Sequence, residues 1–241
     1  MPEEVEPDRT SGPVRAAGRR PAAVVLPPSL RAGLGLVAAL AALLVLVLGI
    51  RYAGEGGPTA VDARIQAEVD GVGPPWRSVA LAVDALGEPA GAAALVVAMV
   101  AGCLLLRRPR AAVLVVAGAG ITVGATTLLK HLVGRTIHGG YLSYPSGHTA
   151  FATALAVVAV LLATRRRGRD GLGGGPGGRT GVLLVLAAAL PAGAVMGWAQ
   201  VALGAHYPTD AFGGWCTALA VVPATAWSVD RTAEVVLREG R

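Results

Sequence analysis

Hydrophobic residues dominate the chain in long, nearly uninterrupted runs, and the polar positions fall in the segments between them. A helix needs about 20 consecutive apolar residues to cross roughly 30 Å of hydrocarbon. Six runs approach that length, namely Gly33–Ile50, Pro89–Leu106, Ala111–Leu129, Thr149–Thr164, Thr180–Gly204 and Ala211–Val229. None has the polar face that a helix of a soluble protein turns toward water. We therefore predict an all-α, polytopic membrane protein built as a bundle of six transmembrane helices.

Clusters of arginine alternate with these runs along the chain. They lie before the first run, between the second and third, between the fourth and fifth, and after the sixth: Arg15, Arg19, Arg20, Arg31, Arg107, Arg108, Arg110, Arg165, Arg166, Arg167, Arg169, Arg179, Arg231, Arg238 and Arg241. Because cytoplasmic loops carry an excess of Lys and Arg, both termini and these loops are predicted to be cytoplasmic. The formal charge of +6 then describes topology, and no nucleic-acid partner is expected.

Composition divides the chain into a membrane domain and two tails. Residues 1–30, rich in Pro, Arg and Glu, predict a disordered cytoplasmic N-terminal tail. The membrane domain is predicted over residues 31–230, and a cytoplasmic C-terminal tail over residues 231–241. The long segment Arg51–Glu88 predicts an amphipathic cap at the outer interface, with its acidic residues on a solvated face. The Arg- and Gly-rich stretch 165–180 predicts a flexible linker.

The rare ionisable residues gather in the segments predicted to lie outside. Lys130 is the only lysine of the chain, and all four histidines fall on or beside these segments: His131, His138, His148 and His206. Each one alone is explained by its interfacial position, as a snorkelling lysine or a solvated histidine. Together they bring three distant segments to one membrane level, where ionisable groups indicate function.

The types of residue suit a phosphate-bearing ligand. In "YPSGH", Ser146 and Gly147 precede a predicted helix, whose N-terminal N–H groups and dipole attract an anion. Lys130 and Arg135 add positive charge. Asp210 follows His206 by four residues, so on a helical turn its carboxylate can fix one imidazole tautomer and leave the other nitrogen free to attack.

Three stretches, "KHLVGRTIH", "YPSGHTAF" and "LGAHYPTDAFGG", resemble the signature motifs of the type 2 phosphatidic acid phosphatase (PAP2) family, also called the lipid phosphate phosphatase–haloperoxidase superfamily. The motifs lie within residues 130–210, and the resemblance extends over residues 60–225 or so, including the six-helix plan. It implies that His206 attacks phosphorus, that Asp210 orients His206, and that His148 protonates the leaving alkoxide and then activates water. It implies no metal and no other cofactor.

Two positions depart from the family pattern. Where the first motif has Arg-Pro, this chain has Ile137 and His138, and where the third has Ser-Arg, it has Ala199 and Gln200. The loss of one donor aimed at transition-state charge can cost about 10²–10³ in rate. We expect Arg135, with His138 and Gln200 as accessory residues, to replace the missing contacts in part.

The sequence therefore predicts a multi-pass cell-membrane phosphatase that hydrolyses a lipid phosphate or diphosphate on the extracytoplasmic side. Its partners are the lipid phosphate substrate and the surrounding membrane lipids. The alternative is a weakly active or non-catalytic protein that binds lipid phosphates, because two family arginines are absent. A vanadium haloperoxidase is a soluble protein, and a transporter would carry its polar site at the bilayer midplane. The use of Ala, Gly and Arg with a single Lys suggests a bacterial source.

Overall fold

The computed structural model describes residues 24–69, 71–167 and 177–239. Within that part of the chain there are eight helices and one two-stranded hairpin. The helices are α1 (Pro28–Arg51), α2 (Ala60–Val69), α3 (Trp76–Asp84), α4 (Pro89–Leu105), α5 (Pro109–Val133), α6 (Gly147–Arg167), α7 (Gly178–Ala202) and α8 (Pro208–Glu239). The antiparallel hairpin joins β1 (Thr136–Ile137) to β2 (Tyr141–Leu142), with Thr136 opposite Leu142.

The long apolar runs form the long helices, as predicted. Among the described residues, five helices are long and apolar enough to cross a membrane: α1, α5, α6, α7 and α8. The pair α3 and α4 gives a sixth span if the two are counted together. Large apolar side chains remain exposed on the outside of the bundle, for example Leu36 and Leu40 of α1. These surfaces suit hydrocarbon, and the prediction of an all-α multi-pass membrane fold is confirmed.

The second predicted run is the later part of a broken helix pair. The axes of α3 and α4 meet at 62°, and α4 alone has 17 residues. Pro89 is the first residue of α4, where a missing N–H costs no hydrogen bond. The bend turns the connecting residues Ala85–Glu88 toward the start of α6, since a Cβ added at Gly87 would overlap the His148 ring.

The centre of the bundle is α6, which packs against α5, α7 and α8. Its side chains Val157, Val158 and Leu161 are fully buried in the main apolar cluster. At one end of the bundle, α5 stops at Gly134 in the left-handed conformation (φ 66°) and the chain turns into the hairpin. We call this the hairpin end; it also carries α2, α3 and the α7–α8 turn.

At both ends of the described residues, ordered structure extends into the segments predicted as tails. Residues 24–30 are structured, and the N–H groups of Val25 and Leu26 donate to the buried Asp230 carboxylate at 2.7 and 2.8 Å. Helix α8 continues to Glu239, through residues that the sequence assigned to a C-terminal tail. The rest of the predicted N-terminal tail, and residues 168–176 of the linker, lie outside the described residues.

Candidate active site

His206 lies in the short turn between α7 and α8, and its side chain is only 7% exposed. Its Nδ1 faces Asp210 Oδ2 across 3.8 Å, one helical turn further on, and has no hydrogen-bond partner. Burial is the main reason that the pKa of His206 lies below its ordinary value of 6.5, while Asp210 acts in the opposite direction. A neutral imidazole with Nδ1 toward the carboxylate leaves Nε2 available as a nucleophile.

Asp210 is the third residue of α8 and is completely buried. Its Oδ2 accepts the Tyr207 N–H at 3.0 Å, in the way that an acidic residue in a first helical turn reaches back to the capping position. Its Oδ1 accepts a hydrogen bond from Arg135 Nη1 at 2.6 Å. Both oxygens are therefore held before any substrate binds.

Arg135 is also fully buried, in the loop between α5 and β1. Its Nη1 also donates to the Thr209 hydroxyl at 2.7 Å, and its Nη2 donates to Asp62 Oδ2 at 2.7 Å. Burial lowers the pKa of Arg135, but the two carboxylates outweigh that effect and raise it above its ordinary value. These contacts occupy both ends of the guanidinium that the sequence assigned to phosphate.

Asp62 contradicts the prediction that the acidic residues of the outer segment form a solvated face, because its side chain is completely buried. At the start of α2, the Asp62 carboxylate accepts the Thr59 N–H and the Thr59 hydroxyl accepts the Asp62 N–H, which caps the helix. The Asp62 Oδ1 also accepts the Thr209 N–H of α8 at 2.9 Å. Burial raises the pKa of Asp62, but the hydrogen bonds from Arg135, Thr209 and Thr59 outweigh it and hold the pKa below its ordinary value. The Thr-x-x-Asp spacing in the sequence indicates the start of a helix, but it does not indicate that Asp62 pairs with Arg135.

Ser146 and Gly147 form the start of α6, as the sequence predicted. The Ser146 hydroxyl accepts the Thr149 N–H at 3.4 Å and the Thr149 hydroxyl at 3.1 Å. The Ser146 N–H donates to the Asp210 carbonyl at 2.9 Å, which fixes α6 to α8 and removes that N–H from any anion. The N–H groups of Gly147 and His148 come next, in the first turn, where no intrahelical acceptor exists.

His148 is the second residue of α6 and meets the α3–α4 bend. Its Nε2 lies 3.6 Å from Asp84 Oδ1 and 3.5 Å from Glu88 Oε1, and it has no hydrogen-bond partner. One potential metal-ligating atom from each of these three residues lies within 4.8 Å of the other two. Among the described residues, this group has spacing that could hold a metal ion. Sequence reasoning missed both carboxylates, since they lie more than forty residues before the first recognisable motif.

Lys130, His138 and Gln200 take three different positions. Lys130 is half-buried in the last turn of α5, and its charge acts on both Asp210 and His206. The buried Gln200 donates from Nε2 to Asp84 Oδ1 at 2.6 Å. His138 lies in the hairpin turn at φ 51° and bonds through Nε2 to the Gly204 carbonyl at 2.7 Å. The charge of Lys130 thus acts on His206, whereas Gln200 contacts a carboxylate near His148 and His138 contacts the α7–α8 turn.

An apolar groove runs beside the same end of the bundle, between α2, α7 and α8. Its volume is about 420 Å³, and its walls include Ile65, Ala194, Trp198 and Phe212. Pro208, two residues after His206, also lines it. The groove therefore places hydrocarbon-compatible surface next to the turn that carries His206.

Comparison with known proteins identifies the family. The model of the PAP2 superfamily matches residues 111–233, which run from the start of α5 into α8 and contain all three motifs. A crystal structure of a transmembrane PAP2 type phosphatidylglycerolphosphate phosphatase from Bacillus subtilis resembles this chain with a TM-score of 0.61 and 21% identity, over 81% of this chain and 96% of that one. None of the curated proteins matches. With the motif residues assembled at one end of a multi-pass bundle, the chain belongs to the PAP2 superfamily.

Proposed function

We propose that this protein is a membrane phosphatase that hydrolyses a lipid phosphate or diphosphate through a phosphohistidine formed on His206. The observation that carries the proposal is geometric. His206 faces Asp210 at the hairpin end, and the Ser146 N–H, two residues before His148, donates to the Asp210 carbonyl at the start of α6. Membership of the PAP2 superfamily supports the same chemistry.

In the first step, His206 Nε2 attacks phosphorus and a P–N bond forms. The P–O bond to the leaving group breaks, and its electron pair stays with the leaving oxygen. His148 donates a proton to that oxygen, so a monophosphate releases a lipid alcohol and a diphosphate releases a lipid monophosphate. Asp210 Oδ2 stabilises the positive charge that develops on the His206 ring. The separation of 3.8 Å is long for this contact, and we expect it to shorten when substrate binds.

In the second step, water attacks phosphorus and the P–N bond breaks. His148 takes a proton from that water, inorganic phosphate leaves, and the imidazole of His206 is restored. The phosphate oxygens are held by Lys130, which supplies positive charge, and by the first turn of α6, where Gly147 supplies its N–H group and Ser146 its hydroxyl.

A lipid substrate fits the surroundings of the nucleophile. The groove beside Pro208 accepts a hydrocarbon tail while the phosphate reaches His206. The Bacillus subtilis protein is a phosphatidylglycerolphosphate phosphatase. Phosphatidylglycerol phosphate, phosphatidic acid and polyprenyl phosphates or diphosphates are therefore the first substrates to test.

The experiment measures inorganic phosphate released from this panel by purified protein in detergent. We expect turnover of at least one lipid, loss of turnover in His206→Ala, and an acid-labile phosphorylated His206 in quenched reactions. His131→Ala is the matched control, because His131 is exposed and bonds to the Thr127 carbonyl away from the site. Binding of lipid phosphates without turnover or phosphohistidine would favour the non-catalytic alternative.

Chelation tests the absence of a metal requirement. Lys130 repels a divalent cation near His206, so we propose that activity survives EDTA. Loss of turnover on chelation, restored by one particular divalent ion and abolished by Glu88→Gln, would instead assign a metal to the cluster of Asp84, Glu88 and His148.

A further inference from the structure

We infer that Arg135 is a positioning residue that, with Asp62, holds the Asp210 carboxylate in the geometry that orients His206, and that it is not a ligand of the substrate phosphate. This inference rests on the proposed phosphatase function. It adds Asp62, which lies outside the three motifs, to the groups on which the nucleophile depends.

The surroundings of Arg135 leave no route for a phosphate. The side chain has no exposed surface. Tyr52 covers one side of the guanidinium and Tyr207 packs against it as well, with 4.3 and 4.4 Å between the guanidinium carbon and the ring centroids. Nε is buried without a partner among the described residues. A phosphate ligand must present donors to the pocket, and here the donors with partners face two carboxylates and a hydroxyl.

The role of Asp62 follows from its two contacts with different parts of the site. Oδ2 accepts from Arg135, and Oδ1 accepts the Thr209 N–H in the first turn of α8. The same turn contains Asp210, so Asp62 ties α2 both to the guanidinium and to the backbone that carries the orienting carboxylate. Buried carboxylates need such partners, because an unpaired buried charge is strongly unfavourable.

The effect on His206 passes through Asp210. While Arg135 holds Oδ1, the remaining oxygen, Oδ2, faces His206 Nδ1. Without the guanidinium, Oδ1 loses its partner, the Tyr207 N–H alone holds the carboxylate, and less positive charge balances it. The imidazolium form of His206 then becomes more stable, so the nucleophile is lost to protonation at a higher pH.

The charged and titratable groups that face these residues are few within the described chain. Around His206 they are Asp210 on α8, Lys130 on α5 and His148 on α6. Around Asp210 they are Arg135, Lys130, Tyr144 and Tyr207, and Arg135 is also faced by Asp62 of α2 and by Tyr52. Since Lys130 is retained in every variant of Arg135 below, a shift in the titration of His206 reports the loss of the guanidinium.

The test compares Arg135→Gln with Lys130→Gln by three measurements. These are kcat, the inhibition constant of orthophosphate, and the pKa of His206 from NMR titration of the imidazole, assigned by its absence in His206→Ala. For Arg135→Gln we expect kcat to fall by more than tenfold, though by less than the roughly 10⁴-fold loss seen when an orienting carboxylate is itself removed. The inhibition constant should stay within about threefold, and the pKa of His206 should rise. Lys130→Gln should weaken orthophosphate binding by at least tenfold.

The inference is overturned if Arg135→Gln weakens orthophosphate binding as much as Lys130→Gln does and leaves the pKa of His206 unchanged. If Arg135→Gln does not fold, the double variant Asp62→Asn with Arg135→Gln removes one carboxylate with the guanidinium, and Arg135→Lys keeps the charge. We expect Arg135→Lys to restore most of the His206 titration but not all of kcat, since one ammonium cannot bond both carboxylates with the same geometry. If the wild-type protein turns over no lipid phosphate, the phosphatase proposal fails, and orthophosphate binding and the His206 titration still decide the position of Arg135.

Discussion

At the level of single residues, Gln200 contacts Asp84 at one of the two positions where the sequence departs from the family pattern. Gln200 takes the place of a family arginine and donates to the Asp84 carboxylate at 2.6 Å. Asp84 also lies 3.6 Å from His148 Nε2. The position that lacks the arginine charge, Gln200, therefore contacts a carboxylate, Asp84, that lies close to the proposed acid His148. The two residues must be tested together.

We predict that Gln200→Arg alone changes kcat/KM little, because the new guanidinium pairs with Asp84 instead of the phosphoryl group. Combined with Asp84→Asn, the same substitution should raise kcat/KM by tens-fold, below the roughly 10²–10³ that one well-aimed donor contributes. Phosphate release from the best lipid of the panel measures both variants. Asp84→Asn alone is the control that isolates the coupling between the two sites. Equal activity of Gln200→Arg and of the double variant would show that Asp84 does not hold the new arginine.

At the level of elements, the bend between α3 and α4 decides what His148 contacts. The 62° break brings Asp84 and Glu88, which flank it, to the first turn of α6. Gly87 lies within the break, and a side chain there would overlap the His148 ring. In a straight helix Asp84 and Glu88 would not both lie next to the His148 ring, so the bend is part of the candidate site.

We predict that Gly87→Ala lowers kcat, because the added methyl group rotates the His148 ring away from the leaving oxygen. The loss should reach as much as about 10²–10⁴-fold, the usual contribution of a general acid or base. Gly57→Ala is the matched control, since a Cβ at Gly57 meets no atom within 4 Å. Unchanged kcat in Gly87→Ala, with intact folding, would argue against His148 as the proton donor.

The groove between α2, α7 and α8 gives a second prediction at the level of elements. Ala194→Trp should fill the groove and lower kcat/KM for long-chain lipid phosphates, while a short-chain, water-soluble phosphate ester should be hydrolysed as before. The neighbouring Val195 is exposed and does not line the groove, so Val195→Trp is the control for a bulky residue at the bundle surface. An equal loss for both classes of substrate would place the lipid tail elsewhere.

At the level of the whole molecule, the hairpin end and the opposite end differ in charge. Successive spans alternate in direction, so the α4–α5 turn and the end of α8 lie away from the hairpin, together with Arg107, Arg108 and Arg238. An excess of arginine marks the cytoplasmic side of a membrane protein. We therefore expect the proposed active site to face away from the cytoplasm.

Labelling of cysteine variants in intact cells checks this orientation. Tyr141 is 75% exposed in the hairpin, so Tyr141→Cys should react with a membrane-impermeant thiol reagent. Glu239→Cys, at the end of α8, should react only after the membrane is permeabilised. The native Cys103 and Cys216 are buried and should stay unlabelled. Reaction of Glu239→Cys alone in intact cells would reverse the topology.

The sequence by itself determined the membrane class and the local placement of the candidate residues, because both depend on short-range patterns. In hydrocarbon every backbone polar group must bond within its own segment, so a long apolar run specifies a helix whatever its neighbours are. His206 and Asp210 lie one helical turn apart, and the Ser-Gly-His stretch opens a helix; both arrangements follow from spacing alone. The bounds of α8 did not follow, because its last turns carry charges that are also typical of a tail.

Only the tertiary structure decided which charges meet. Asp62 and Arg135 are 73 residues apart, and Asp84 and Gln200 are 116 residues apart, yet both pairs are in direct contact. Residue periodicity reports the environment of one helix face and carries no information about a partner on another element. Arg135 is suited to phosphate by its charge alone, and only the placement of α2 against α8 gives it two carboxylates instead. The positions of these buried charges depend on packing, since burial without a partner would be too unfavourable for either sign.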